Sequence, residues 1–158
     1  MENLVQQAEP AVAKWLQDDV DEETLYEELG IRAKAIQENP GLSSSFDPAA
    51  TYDQSTMGIL DDVRNYGKRL FRRWSAEGYK LICGDDPEDE EDRKELADAF
   101  GLGGNKAASV MAAMLVAQLG LAPAIATVIA AILIKRFVLN PVYEQFCATW
   151  KVHLPQPE

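Results

Sequence analysis

The chain reads as an all-α protein, a single-domain helical bundle of about seven helices wrapped round a central apolar helical hairpin. Three observations predict it. Apolar residues recur at helical spacing through most of the chain, and no segment alternates with the period of two that marks a half-exposed strand. Between Lys106 and Lys135 the only polar side chains are Ser109, Gln118 and Thr127. Helices that are apolar on nearly every side need other helices, or lipid, around them.

Leu4, Val5, Ala8, Val12, Trp15 and Leu16 outline a first helix, which Pro10 is expected to kink or delimit and which Asp18 and Asp19 close. Asp21, followed by Glu22 and Glu23, has the form of an N-cap with an acidic first turn. It opens a second helix to about Glu38, with Leu25, Leu29, Ile36 and Ala33 inward, or two shorter helices if Gly30 breaks it. Residues 39–52 carry turn chemistry at nearly every position and form the longest loop.

A long helix is expected over Ser55–Cys83, with Leu60, Val63, Leu70, Phe71, Trp74, Leu81 and Ile82 on one face and Gly84 at its end. Asp85-Asp86-Pro87-Glu88 suits the start of a short helix ending at Phe100. After Gly101, Gly103 and Gly104, Asn105 is placed to cap the apolar segment. Within residues 107–139, Gly120-Leu121-Ala122-Pro123 reads as one helix end and one helix start, so Gly120 and Pro123 are the hinge of the hairpin. A last helix should begin near Asn140-Pro141, present Val142, Phe146 and Trp150 on one face, and leave 155–158 as a tail.

Composition narrows the function. The 158 residues suffice for one domain, 1–158, with a hydrophobic core. A formal charge of -11 opposes phosphate backbones, so nucleic acid is not the expected partner. Cys83 and Cys147 lie far apart in apolar helical contexts, and the N-terminus has no basic and apolar leader; two free thiols, Cys147 a packed one, and a cytoplasmic protein that starts at Met1 are expected. Catalytic, cofactor and metal sites are all expected to be absent. His153 is the only histidine, the acidic run 85–92 lacks calcium-loop spacing, and Gly101–Lys106 has neither the preceding strand nor the Lys-Ser/Thr pair of a phosphate loop.

The exception to the acidic character is a basic stripe, Arg64, Lys68, Arg69, Arg72 and Arg73, whose members sit one helical turn apart in two rows. It would dock an acidic partner, a phosphorylated ligand or anionic lipid head groups, unless it is a solvated face or turns towards the acidic segment 85–92 of its own chain. The expected function is therefore a non-enzymatic intracellular interaction or adaptor module acting through protein–protein contacts. The alternative is a membrane-associated protein that inserts hairpin 107–139, with the basic stripe on anionic lipid. In general layout, a bundle sheltering an apolar hairpin is similar to pore-forming domains of the colicin type, with no shared residue motif.

Overall fold

The structure is a computed structural model that describes residues 2–48, 50–137 and 142–154. Among these there are eight α-helices and no strand: α1 (Glu2–Trp15), α2 (Glu22–Glu38), α3 (Gln54–Met57), α4 (Leu60–Cys83), α5 (Glu90–Phe100), α6 (Gly104–Leu119), α7 (Pro123–Phe137) and α8 (Tyr143–Val152). The protein is an all-α helical bundle.

The antiparallel pair α6–α7 is its centre. Helix α6 packs on α1, α4 and α5 as well as on α7, and α7 also meets α1, α2 and α8. The consequence is burial on every side: Ala107 to Leu115 are all buried, as are Ala126 to Ile134. The two hydroxyls in this dry interior satisfy themselves locally, Ser109 donating to the Asn105 carbonyl at 2.7 Å and Thr127 to that of Ala124 at 3.1 Å. Gly120 ends α6 in the left-handed conformation at φ 67°, the Leu121 N–H returns to the Leu115 carbonyl, and Pro123 is the first residue of α7. The expected hinge is thus a short capped turn. Residues 138–141, including the far end of the expected hairpin and the expected start of the last helix, lie outside the described residues, as does tail 155–158.

Several elements differ from expectation. Helix α1 runs unbroken through Pro10, which is exposed, as is Gln6, the residue whose carbonyl loses its i+4 donor. Helix α2, by contrast, runs to Glu38 as first expected, continuous through Gly30, whose missing side chain lets α4 come close: a Cβ there would overlap the Val63 carbonyl, and one at Gly67 would overlap that of Tyr26. The helix expected from Ser55 is divided at Gly58, with φ 84°, into α3 and α4. Gly103, not Asn105, precedes α6, with no side-chain cap. In α8 Phe146 and Trp150 are buried, whereas Val142 just before it is exposed. Asp21 does cap α2, accepting from the Thr24 N–H at 2.8 Å.

The largest correction concerns sulfur. Cys83, at the end of α4, and Cys147, within α8, form a disulfide with Cα atoms 5.7 Å apart. Neither is a free thiol, and the argument from unpaired cysteines to a reducing compartment falls away. The sequence gives no warning because 64 residues separate the two. They meet only when α8 folds back to lay Phe146 and Trp150 against Phe100, Phe137 and Tyr79.

Candidate functional site: a basic helix face and its cleft

The five residues of the expected basic stripe lie on α4, and the structure separates them into three groups. Arg64 and Lys68 point to α2, not to the acidic segment 85–92. Arg64 reaches Glu27 at 2.5 Å, Asp61 at 3.2 Å and Glu23 at 3.5 Å, and Lys68 reaches Glu23 at 3.2 Å. The Glu27 hydrogen bond, ahead of any other influence, holds Arg64 above even the ordinary guanidinium value. These two cations fasten the α2–α4 crossing that Gly30 and Gly67 make so close. The acidic segment instead supplies the Asp86 carbonyl to buried Arg93, which also donates to the Leu81 carbonyl at 3.1 Å.

Arg69 and Arg73 form the second group. Both are exposed, and their guanidinium carbons lie 5.8 Å from the ring centres of Tyr66 and Trp74 on the same helix. Arg72 stands alone, exposed on the wall of a cleft. Among the described residues no carboxylate lies within ion-pair distance of Arg69, Arg72 or Arg73.

That cleft, of about 530 Å³, lies where α2, α4, α7 and the end of α8 converge. Its cations are Lys68, Arg72 and Arg136, with His153 at the same opening; Glu22 and Glu23 supply the negative charge, and Tyr26, Phe71 and Ser75 complete the lining. Arg136 is oriented by donating to the Tyr26 hydroxyl at 2.9 Å. Burial pushes the Tyr26 phenol up, an effect that neighbouring Arg136 only partly offsets, so this hydroxyl keeps its proton at neutral pH. Ser75 is buried and accepts from the Trp150 indole N–H at 3.0 Å.

Sequence reasoning placed Lys68 and Arg72 on a candidate surface and missed Arg136, Tyr26, Ser75, Glu22, Glu23 and His153 as companions. One signal was available: Tyr26 sits one turn before Leu29 and so shares the inward stripe of α2. For Arg136 and His153 nothing local marks the site, since they reach it from different helices. The hinge residues Gly120 and Pro123 do not line this cleft. Among the described residues, no three His, Cys, Asp or Glu side chains are grouped as metal ligands.

Comparison with known proteins gives no family. No family model matches the chain, and no curated protein or solved structure matches it either. The layout shared with colicin-type domains therefore carries no argument. Among the described residues no helix is long and apolar enough to cross a membrane.

Proposed function

We propose that the protein is a non-enzymatic helical interaction module that docks an acidic segment of a protein partner on the outer face of α4. One observation carries this reading. In a chain of formal charge -11, Arg69, Arg72 and Arg73 are adjacent, exposed and without carboxylate partners among the described residues, whereas Arg64 and Lys68 beside them are paired. Unpaired guanidinium groups on a rigid helix present several N–H donors suited to carboxylates, and the aromatic rings beneath Arg69 and Arg73 limit the side-chain freedom lost on binding.

The module would work with Cys83 and Cys147 joined, which fits an oxidising compartment better than the reducing cytoplasm expected from the sequence. Poly-L-glutamate is a direct probe. Binding by the full chain at low ionic strength should weaken as salt is added and should be lost in the Arg69→Glu, Arg73→Glu double variant. Equal binding by that variant, or none by the parent chain, overturns the reading.

A further inference from the structure

We infer that the cleft beside this face is a subsite for a phosphate monoester dianion, the phosphorylated side chain of the docked partner; the inference rests on the docking reading above. Three features of the cleft support phosphate over carboxylate. The donors come from several directions: Arg72 and Lys68 from α4, Arg136 from α7, and the Ser75 and Tyr26 hydroxyls from the floor and wall. A planar carboxylate uses two oxygens, whereas a tetrahedral phosphate offers three and can accept from all of these sides.

The second feature is an unused donor. Ser75 is 7% exposed, and its oxygen already accepts the Trp150 indole N–H. A hydroxyl that accepts one bond still has a proton to give. Among the described residues that proton has no acceptor, although Ser75 lines the cleft. An oxyanion there would complete a hydrogen bond that the protein alone leaves open.

The third feature is the charge balance. Lys68 and Glu23 pair with each other at 3.2 Å, which leaves Arg72 and Arg136 facing Glu22. The cleft therefore keeps a net positive charge inside a strongly acidic molecule, and a dianion gains twice what a monoanion gains in the same field. Glu22 has no cation within ion-pair distance among the described residues, so it opposes any anion that enters. That opposition gives the test a sign: neutralising Glu22 must strengthen binding while neutralising Arg72 or Arg136 weakens it.

Phenyl phosphate and benzoate, titrated into the full chain and followed by calorimetry and by the Trp150 indole N–H resonance, distinguish the two anion classes. Phenyl phosphate should saturate, shift that resonance, and bind about tenfold more tightly than benzoate. Arg72→Gln and Arg136→Gln should each weaken it about fivefold or more, Glu22→Gln should tighten it, and Lys94→Gln, exposed on α5 and outside the cleft, should leave it unchanged. Arg72 is exposed, so Arg72→Gln decides the matter if Arg136→Gln loses its helical circular dichroism. Non-saturating titration, equal affinity for benzoate, or indifference to Arg72→Gln overturns the subsite. Poly-L-glutamate binding that survives such a result leaves the docking reading standing. Phenyl phosphate binding without poly-L-glutamate binding removes the docking reading and keeps the anion site.

Discussion

Two glycines set how closely α2 and α4 approach each other. At the α2–α4 crossing, Gly30 lies against the Val63 carbonyl and a branch of the Val63 side chain, and Gly67 against the Tyr26 carbonyl, so a methyl group at either position must displace backbone. Backbone in a packed helix does not swing aside as a flexible side chain would. Gly30→Ala and Gly67→Ala should each destabilise by about 1–3 kcal/mol in urea unfolding, even though alanine is the better helix former. Gly78 is the control: its added Cβ would meet the edge of the Trp150 ring and the tip of Leu115 at 3.4 and 3.8 Å, ordinary van der Waals distances. Gly78→Ala should therefore be near neutral or mildly stabilising. Asp21 offers a different single-residue test. Its carboxylate caps α2, and the hydrogen bond from the Thr24 backbone holds its pKa below the ordinary aspartate value. A group whose pKa is lowered by folding stabilises the fold above its unfolded value and loses that contribution as pH falls through the folded one. A carboxyl titration by NMR should place the Asp21 midpoint below that of an unstructured aspartate. Asp21→Asn should keep the cap while removing this part of the acid sensitivity.

At the scale of elements, α8 depends most on a covalent bond. Its tertiary contacts are few beside those of the α2–α4 and α6–α7 pairs, and it is joined to the end of α4 by the Cys83–Cys147 disulfide. Closing a loop with a sequence separation of 64 residues is worth about 2–4 kcal/mol through the lost freedom of the unfolded chain. Reduction, or Cys147→Ser, should lower stability by about that amount. It should also speed hydrogen exchange in α8 well before α6 and α7, which are enclosed on all sides. Exchange that rises equally in α6 and α7 would mean that α8 is an inseparable part of the core. The same distinction explains what could be read from the sequence. The cap at Asp21 and the turn from Gly120 to Pro123 are written in a few adjacent residues, and both are found. The apolar hairpin is central because residues with no polar face leave no alternative in water. The disulfide and the cleft depend on where α8 lands, which no local pattern encodes. The partner of the basic stripe was legible in principle: Glu23 and Glu27 repeat one turn apart on α2, matching Arg64 and Lys68 one turn apart on α4.

For the whole molecule, the question is whether the hairpin ever leaves its shelter. Helix α6 has 16 residues and α7 has 15, so at a rise of about 1.5 Å per residue they extend about 24 and 22 Å, short of a hydrocarbon core about 30 Å thick. To span as one rod they would have to refold the turn at Gly120, where the left-handed residue and the following Pro123 both oppose a continuous helix. Leaving the bundle would also strip α1, α2, α4, α5 and α8 of the surface they pack against, and every fully buried Leu, Ile, Val or Met side chain exposed to water costs about 1.5–3 kcal/mol. Lipid could compensate α6 and α7 but not the inward stripes of the helices left behind, among them Val5, Val12, Leu25, Leu29 and Leu96. The full chain mixed with vesicles of anionic phospholipid should therefore remain in the supernatant and release no trapped dye at neutral pH, with the disulfide closed or reduced. Dye release in both states would return the membrane-inserting reading of the hairpin. Release confined to the reduced protein would make α8 the latch that holds it, since reduction frees that helix while leaving the contacts of α1, α2, α4 and α5 with the hairpin in place.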